Sequence, residues 1–524
     1  MPKFTYSFWA CIVCCLIGCN QKDILLPEDT FTELTIKHER FPDFSFAGYE
    51  KNEKPIPAVP VKVTVLPGEG DDGANIQAAI DSVSGLPPVN GFRGAVLLKA
   101  GVYEVEKPLY IRASGVVLRG EGQDENGTVL IATGKGRRWN EQNLPELINM
   151  RNLALIRMEG NAEHPAFGGE TEVTAPWVPV GATRIPVANP AGFRSGDTVI
   201  IKMNYNQDWI NALQMAKYGW TPEQYQIEHR RVITNVDDDA IHINIPLVDA
   251  IIKKYGGAVV LQASFPGRIS HSGIENLCLK SIFADDQDEA HTWTAIRLSD
   301  VTHSWVRNVT AKHFAFGCVV IFGRSDFNTI QDCAMLDPKS LITGNRRYSF
   351  YIEGGMANLF QRCYSWGGRH DFSTGGRVAG PNVFLDCYAT NTHHESGPHH
   401  RWATGTLYDN VQADRIKAYN RADLGESGHG WAGAQNMFWN CKATQGFLIE
   451  SPPEAINWCV GCRGARPNGD GYWASWGIPV LPRSLFLEQL RIRLGPQAVN
   501  SITDPSQRGN EDIWSILGNW AEKL

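Results

Sequence analysis

The sequence predicts an all-β solenoid, in which the chain winds through stacked coils of short strands. Three observations favour it. In the second half of the chain, an asparagine followed five positions later by a cysteine recurs at intervals of about 20 to 30 residues. Short runs rich in β-branched residues alternate with glycines, as in "GAVLLKAGVYEVEKPLYIRASGVVLRGEG". The chain has 524 residues and is 43% hydrophobic, which is enough for a long continuous core.

The repeat predicts two internal columns. The Asn/Cys pairs are Asn328/Cys333, Asn358/Cys363, Asn382/Cys387, Asn436/Cys441 and Asn457/Cys462, and Thr406/Val411 fills the same slots. Equivalent residues of successive coils stack at the strand spacing of about 4.8 Å. We therefore expect the asparagines to form a ladder of amide hydrogen bonds at a turn. The cysteines should form an apolar column of free thiols, because stacked side chains that point the same way suit packing better than disulfide geometry.

The remaining segments divide the chain. "DDGANIQAAIDSV" predicts an amphipathic helix with Ile76, Ala79, Ile80 and Val83 on one face. Residues 59–133 and 265–465 are predicted coils. Residues 134–264 read as an inserted small β module of alternating strands, with a helical "DWINALQMAKYGWTPEQYQ" whose Asp208 and Trp209 are candidates to reach a cleft. Residues 466–524 are predicted to form a helical C-terminal cap over the open end of the solenoid.

The N-terminus predicts attachment to a membrane. One lysine is followed by an apolar run too short for a comfortable transmembrane helix, and then by Leu16-Ile17-Gly18-Cys19. This resembles a bacterial lipoprotein signal, with a signal peptide at 1–18, lipidation of Cys19 and a tether at 19–58. An uncleaved membrane anchor is the alternative. Both place the body of the protein in the cell envelope, outside the cytoplasm.

The N-terminal motif "DDGANIQAAIDSV…GAVLLKAGVYEV…PLYI…GVVLRGEG" and the Asn/Cys ladders resemble the pectate-lyase-like superfamily. The resemblance covers about 60–133 and 265–465 and implies a right-handed parallel β-helix, a single-stranded solenoid. The family includes polysaccharide lyases, glycoside hydrolases, epimerases and non-catalytic tail spikes, so a polysaccharide is the expected partner. The net charge of −7 and the lack of a basic face argue against nucleic acid, and a monomer is expected.

Loops at one corner of the coils are predicted to wall a groove. Aligning the second strand of each coil on Phe350, Phe372, Trp402, Trp431 and Phe447 leaves extra residues before each of the first four aromatics. These extra residues contain most of the candidate site. They are Lys339 and Arg346, then Arg369, His370 and Asp371, then His393, His394, Glu395, His399, His400 and Arg401 of "NTHHESGPHHRW", and finally His429.

Groove loops rich in arginine and histidine favour a lyase that acts on a uronate-containing polysaccharide by β-elimination. Arginine pairs with the carboxylate, for which Arg401 and Arg369 are the candidates. A base near neutral pKa removes the C5 proton, and His399 or His400 comes first, with His370 next. Tyr408 is a candidate acid and Trp402 a candidate sugar-stacking residue. Asp371, His393, His394, Glu395, Lys339, Arg346 and His429 are expected to contact substrate.

Three alternatives remain open from the sequence. A glycoside hydrolase would use two carboxylates, for which Asp371 and Glu395 on neighbouring coils are candidates. A non-catalytic glycan-binding β-helix is a different class. A divalent metal is a third question: His393, His394, His399 and His400 with Asp371 could bind zinc, and the resemblance implies calcium in some relatives, although the loops are poor in clustered carboxylates.

Overall fold

The protein is a right-handed parallel β-helix, which confirms the predicted fold class and the resemblance at the level of the fold. This is a computed structural model, and it describes residues 24–25, 41–134, 153–161, 165–422 and 428–524. Each coil passes through three parallel sheets, here named face 1, face 2 and face 3 in chain order. The corners between them are named corner 1–2, corner 2–3 and corner 3–1.

Faces 1 and 2 share three strands that bend through corner 1–2. These are Gly273–Ser281, Trp305–Lys312 and Thr329–Leu336. The other strands of face 1 are Val61–Val65, Gly94–Leu98, Val116–Arg119, Leu359–Gln361, Ala379–Leu385, Ala403–Asp409, Gly433–Ala434, Met437–Trp439, Trp458–Val460 and Tyr472–Ala474. The other strands of face 2 are Gly101–Val105, Thr128–Ala132, Tyr364–Trp366, Tyr388–Thr390, Gln412–Ala418, Lys442–Ile449 and Arg463–Gly464.

Face 3 is a seven-stranded parallel sheet that narrows along the solenoid. Its strands are Leu109–Ile111, Ala154–Glu159, Thr294–Ser299, Gly317–Phe322, Phe350–Ile352, Phe372–Thr374 and Gly397–Pro398. The last two strands contain only 3 and 2 residues. Two short parallel pairs lie outside the faces, Ile269–Ser270 with Val301–Thr302 and Ile24–Leu25 with Val480–Leu481.

From the coil of Gly273–Ser281 onward, corner 1–2 is made by one residue in the left-handed conformation, whereas the preceding coil has a longer corner at 120–127. This position has φ between 51° and 57° where it is Asn or Asp, and φ of 50° and 66° where it is Arg362 and Gly461; the Asn and Asp residues are Asn276, Asn308, Asp332, Asp386, Asn410 and Asn440. Asparagine and aspartate adopt this conformation more readily than other residues with a side chain, because the short polar group can bond locally to the backbone. The tight corner keeps faces 1 and 2 in the same register from coil to coil.

The predicted asparagine ladder is confirmed. Asn358 Oδ1 accepts hydrogen bonds from the backbone N–H and the Nδ2 of Asn328, at 3.1 and 3.0 Å. The backbone N–H of Asn358 donates in turn to Oδ1 of Asn382 at 3.0 Å. The same bond links Asn436 to Asn457 at 3.1 Å. Each amide therefore satisfies buried backbone groups at the start of a face 1 strand.

The cysteine column is also confirmed. The cysteines of the coils are all free and buried, and they are Cys278, Cys318, Cys333, Cys363, Cys387, Cys441, Cys459 and Cys462. Beside them an aromatic stack runs through the interior of face 1, where Phe384 lies 5.0 Å from Phe360 and 5.3 Å from Tyr408 between ring centroids. Tyr408 lies 4.8 Å from Phe438 in the same stack. The core is therefore continuous along the solenoid axis.

The helices are α1 (Gly73–Ser84), α2 (Gln207–Ala212), α3 (Leu485–Leu494), α4 (Pro496–Ile502) and α5 (Trp514–Ala521). Single 3-10 turns lie at Tyr49–Asn52, Ala216–Tyr218, Pro222–Gln224, Lys253–Tyr255 and Pro505–Arg508. Helix α1 confirms the predicted amphipathic helix, since Ile76, Ala79, Ile80 and Val83 pack into the core of the first coils.

The C-terminal segment is helical as predicted, but its helices cover the flanks of the coils and not their open end. Helix α3 lies along the outside of face 1, where Leu485 and Phe486 join a cluster of outward-facing side chains of the stacked strands, namely Leu359, Val383, Leu385 and Leu407. Helix α5 packs on face 2 through Ala521. The reason is that the outer surfaces of these faces carry large apolar side chains that need cover. At the last coil, Trp473 and Trp476 pack against Phe447 instead.

Two predicted boundaries also shift. Strand Ala154–Glu159 pairs in parallel with Leu109–Ile111 and Thr294–Ser299, so it belongs to face 3 and not to the insert predicted at 134–264. The predicted tether at 19–58 is partly a packed segment, since Phe44 is fully buried and the Tyr49 N–H donates to Thr329 Oγ1 at 2.8 Å.

The insert leaves and rejoins the solenoid at corner 3–1. Its antiparallel six-stranded sheet has the order Arg184–Pro186, Ala240–Ile243, Glu228–Val236, Thr198–Met203, Ala258–Ser264 and Ala166–Glu172. Trp177–Val178 and Ile251–Ile252 form a further antiparallel pair. Arg230 fastens the insert to the coils through two 2.8 Å hydrogen bonds to Asp326.

No helix in the part of the chain that the structure describes is both long and apolar enough to cross a bilayer. Cys19 and the predicted signal peptide lie outside the described residues.

We expect Asn358→Ala to lower the free energy of unfolding by about 3 kcal/mol, because it leaves several buried backbone and amide groups without partners. Equilibrium denaturation followed by circular dichroism measures the change. Asn126→Ala, at an exposed loop position, is the control and should change stability by less than about 0.5 kcal/mol. Equal stability of the two variants would contradict the role given to the ladder.

Candidate functional site

The histidine-rich stretch is divided between two corners. Phe372 pairs with Phe350 as predicted, but the next coils place Ser396 and Ile416 in this column, followed by Phe447. Aligning Trp402 and Trp431 on it was therefore wrong. His393, His394 and Glu395 precede the short strand Gly397–Pro398 at corner 2–3, whereas His399, His400 and Arg401 follow it at corner 3–1.

The two corners meet because face 3 is so narrow here. Tyr348 and His370 approach from corner 2–3, and His399, His400 and His429 approach from corner 3–1. His399 lies 4.6 Å from His370 and 5.3 Å from His429 between ring centroids. His400 lies 5.0 Å from His429. These five side chains are named here the histidine cluster.

A chain of hydrogen bonds runs through the cluster. Tyr348 Oη lies 3.1 Å from His399 Nε2, and His399 Nδ1 lies 2.8 Å from His400 Nδ1. Burial, reinforced by the neighbouring cationic groups, holds the pKa of His399 and of His400 well below the usual value for histidine. Both rings are therefore neutral at physiological pH and can accept or relay a proton.

His370 has a defined tautomer. It is fully buried, and its Nδ1 lies 2.9 Å from the backbone carbonyl of Glu395, which can only accept, so Nδ1 carries the proton. Nε2 is left with a lone pair and has no hydrogen-bond partner among the described residues. Burial lowers the pKa of His370 to about 3.

One ion pair crosses the end of face 3 beneath the cluster. Arg421 Nη1 donates to Glu395 Oε1 at 2.9 Å, and Lys417 Nζ lies 3.8 Å from Oε2. Burial alone would raise the pKa of Glu395, but contact with His394 and the positive charges of Arg421 and Lys417 hold it below its usual range. Glu395 is therefore a charged structural partner and not a free acid.

Arg369 brings an unpaired positive charge to the cluster. Its Nε and Nη1 are buried and have no hydrogen-bond partner among the described residues. Arg369 directly precedes His370 in the chain, and its positive charge helps to lower the pKa of that ring. Arg401 lies on the other side of the cluster, where its Nε donates to the Gly428 carbonyl at 3.2 Å and its charge acts on His400.

The insert forms a wall beside the corner 3–1 part of the cluster. Trp220 Nε1 donates to the Gly428 carbonyl at 3.0 Å, next to His429. Arg377 Nη1 donates to the Gln224 carbonyl at 3.0 Å. The insert therefore supports the loop that carries His429, and this support is a structural role of the predicted module.

Several predicted site residues have structural roles instead. Lys339 bonds to Asp286 and Asp337 at 2.7 and 2.9 Å, and Arg346 pairs with Glu289. Both were expected in the groove because charged loop residues cluster in the sequence. Their carboxylate partners lie far enough along the chain that spacing alone does not reveal them.

Three more predictions are wrong because the side chains are buried. Tyr408 lies in the internal aromatic stack and cannot act as an acid in the groove. Trp402 is 2% exposed and packs against Trp209 of the insert at 4.9 Å, with Nε1 3.3 Å from Asp249 Oδ2, so it presents no face to a sugar. The proposed reach of Trp209 into a cleft is excluded by the same contact. Asp208 lies in the first turn of α2.

Asp371 is also withdrawn from the groove. It is fully buried, and Oδ1 accepts hydrogen bonds from Ser365 and Ser349 at 2.5 and 2.9 Å. Burial raises its pKa to about 6. His393 and His394 stay at the surface of corner 2–3, where the His394 side chain is 49% exposed and lies 3.6 Å from Glu395. They line the edge of the site.

Sequence reasoning missed Tyr348, and it placed Arg421 among the charged residues of a groove loop without its partner. Tyr348 lies two residues before Phe350, which was correctly aligned, so its position at the edge of face 3 could have been found from that alignment. Arg421 lies in a loop rich in charged residues, and its partner Glu395 belongs to the preceding coil, so no local spacing in the sequence connects the two.

The metal ligands predicted from the sequence are not brought together as a set. His393 and His394 lie at corner 2–3, and Asp371 is engaged by serines. Among the described residues, a group with metal-ligating geometry is His399, His400 and His429, whose ligand atoms lie within 4.8 Å of one another. Nitrogen atoms of this kind suit zinc-class ions better than calcium.

No protein-family model matches this sequence, and a search of curated proteins finds no match either. Solved structures with a similar winding include the tailspike protein gp49 from Pseudomonas phage LKA1, at 15% identity and a TM-score of 0.44, covering 75% of this chain. This chain matches 57% of that tailspike. The polygalacturonase from Erwinia carotovora ssp. carotovora is 12% identical, with a TM-score of 0.33. That match covers 80% of this chain and 96% of the polygalacturonase chain.

A third similar structure is DFA-IIIase from Arthrobacter chlorophenolicus A6 in complex with GF2, at 11% identity and a TM-score of 0.34. The match covers 82% of this chain and 88% of the DFA-IIIase chain. At this level of identity the similarity extends to the fold alone.

The buried His229 of the insert predicts a pH-dependent stability. Burial lowers its pKa to about 3, from about 6.5 in the unfolded chain. Folding therefore gains full stability from neutral His229 above about pH 6.5 and loses it as the pH falls toward 3, by up to about 1.4 kcal/mol per pH unit. We expect His229→Met to reduce this slope, measured by denaturant unfolding at several pH values.

The control for this measurement is Ile241→Met, which changes a buried side chain of the same insert that has no titratable group. It should leave the slope between pH 6.5 and 3 close to that of the wild type. A slope unchanged in His229→Met would contradict the assignment of a neutral buried ring.

Proposed function

We propose that the protein is a polysaccharide lyase that cleaves an acidic, uronate-containing polysaccharide by β-elimination. The observation that carries the proposal is Arg369, a partly buried guanidinium with two unpartnered nitrogens beside the neutral ring of His370. A buried cation without a protein carboxylate is costly. An anionic group of a substrate would offset that cost and would be oriented by the arginine.

β-Elimination needs three groups, and the cluster offers each. The uronate carboxylate would pair with Arg369, or with Arg401 on the opposite side. His370 Nε2 is the best candidate for the base, because its lone pair is unpartnered among the described residues and its tautomer is set by the Glu395 carbonyl. The ring is fully buried and its pKa is low, so the role requires that corner 2–3 opens when substrate binds and that the uronate carboxylate raises the pKa of the ring. Tyr348, bonded to His399 Nε2, is the best candidate for the acid at the leaving oxygen.

The proposed reaction balances within the substrate. His370 Nε2 takes the C5 proton, and the electron pair of the C5–H bond forms the C4–C5 double bond. The C4–O bond breaks, and its electron pair stays on the leaving oxygen. The Tyr348 O–H protonates that oxygen. The tyrosine recovers its proton from the His399–His400 chain, which relays protons between the cluster and solvent.

The hydrolase alternative receives less support. Its two carboxylates were expected to be Asp371 and Glu395. Asp371 Oδ1 is bonded to two serines, although Oδ2 has no hydrogen-bond partner among the described residues, and Glu395 is paired with Arg421, so two free carboxylates do not face each other. A non-catalytic glycan-binding role would not account for a hydrogen-bonded series of neutral histidines next to an unpaired arginine.

We expect the purified protein to release C4–C5 unsaturated products from at least one member of a panel of uronate-containing polysaccharides, measured by their ultraviolet absorbance. Arg369→Ala should lower kcat/KM about 10- to 100-fold, through loss of a charge-assisted bond. Tyr348→Phe and His370→Gln should each lower kcat at least about 100-fold.

Arg112→Ala is the matched control for the arginine change, because this side chain is 61% exposed and lies on an early coil. It should retain wild-type activity. New reducing ends without ultraviolet absorbance would sink the lyase assignment and return the hydrolase. Binding of the polysaccharides without any product would favour the non-catalytic role.

We also propose that the protein is attached to the cell envelope through a lipid on Cys19, acts there on extracellular polysaccharide, and is a monomer. The sequence Leu16-Ile17-Gly18-Cys19 supports the attachment. Labelled palmitate should be incorporated into the wild type and not into Cys19→Ala. Equal labelling, or a protein released without lipid, would refute the anchor, and light scattering of the solubilised chain tests the monomer.

A further inference from the structure

We propose that His399, His400 and His429 bind one divalent first-row transition-metal ion at corner 3–1. Their ligand atoms lie within 4.8 Å of one another, one ring is buried and the other two are partly exposed. Imidazole nitrogen is a common ligand for zinc, nickel, cobalt and related ions. Three rings that converge from one corner leave positions on the open side for water or substrate.

Two of the ligands bring nitrogens close enough to share one ion. His399 Nδ1 and His400 Nδ1 are 2.8 Å apart, which is within the separation that two nitrogens bonded to one ion at about 2.1 Å can have. The same two nitrogens can share a proton when no ion is bound.

The backbone around the ligands is held in place before any ion binds. The His399 N–H donates to the Thr374 carbonyl at 2.8 Å, and the Arg401 N–H donates to the His429 carbonyl at 3.0 Å. The carbonyl of Gly428, next to His429, accepts from Trp220 of the insert. Ligands from two adjacent coils are thereby fixed relative to each other, which lowers the entropy cost of binding an ion.

A second contact orients His399. When Nδ1 binds the ion, the neutral ring carries its proton on Nε2, which then donates to Tyr348 Oη at 3.1 Å. This contact holds the ring of His399 in place. The metal site does not rest on the proposed function.

The surroundings set a limit on affinity. Arg401 and Arg421 act electrostatically on His400 and oppose a second positive charge. A uronate carboxylate in an open position would offset this repulsion. We therefore expect a simple uronate, galacturonate or glucuronate, to increase the affinity of the site for the ion at least tenfold. Calcium should not bind, because it requires several oxygen ligands.

The test uses purified protein without a polyhistidine tag, dialysed against Zn²⁺, Ni²⁺ or Co²⁺ and then analysed for metal content. We expect about one ion per chain in the wild type and a Co²⁺ absorption spectrum typical of nitrogen ligands. His429→Ala and His400→Gln should each weaken binding at least tenfold. His394→Ala is the matched control, since this exposed ring lies outside the group, and it should bind as the wild type does.

A wild type that binds no ion at millimolar concentration would overturn the proposal, whether or not the variants fold. Binding that is unchanged in both folded ligand variants would also overturn it. Metal binding together with an absence of lyase product would keep this site and reject the proposed function. Lyase activity in a wild type shown to bind no ion would reject the metal site and keep the proposed function.

Discussion

The one-residue turn at corner 1–2 is the constraint on which the rest of the structure depends. From the coil of Asn276 onward a single left-handed residue, in most coils Asn or Asp, leaves no room for insertions at this corner, so faces 1 and 2 repeat with the same register in coil after coil. The asparagine ladder, the cysteine column and the internal aromatic stack all follow from that register. In these coils extra residues enter at the other two corners, where the histidine cluster and the charged loops lie, and the insert leaves the winding at one of them, corner 3–1.

The cluster illustrates how position on a solenoid changes the chemistry of ordinary side chains. Burial keeps His370, His399 and His400 neutral. Arg421 pairs with Glu395, whose negative charge would otherwise favour the protonated form of these rings. Arg369 retains a charge, and its Nε and Nη1 have no hydrogen-bond partner within the described part of the chain. The result is a small electropositive site with proton acceptors, formed where a two-residue strand lets two rows of loops meet.

The parts that could be predicted from the sequence are those set by short-range repetition. The five-residue Asn/Cys spacing is sufficient to predict the solenoid, the ladder and the free thiols. Each of these features arises when the same strand is repeated in successive coils. The pairing of Phe350 with Phe372 was found for the same reason. Trp402 was misplaced because an aromatic residue can pack inside a coil or against the insert, and the sequence does not distinguish the two environments.

Site residues were harder to predict because their partners lie in other coils. Lys339, Arg346 and Asp371 have the residue types of a groove, yet each is satisfied by residues that the sequence places at no regular spacing. Tyr348, in contrast, belongs to the site but was not predicted, because its contact with His399 joins positions 51 residues apart. The placement of the C-terminal helices was missed for the same reason, since the apolar surfaces that α3 and α5 cover belong to strands far away in the chain.

The two ends of the insert meet. The Gly160 N–H donates to the Ser299 carbonyl and the Asn161 N–H to the Gly267 carbonyl, both at 2.9 Å, so the chain leaves and re-enters the winding at nearly one point. A module attached in this way can be lost, enlarged or exchanged during evolution without a change in the coils beneath it. Since the insert also supports the loop of His429, the architecture separates a regular scaffold from a wall whose shape can vary independently of the coils.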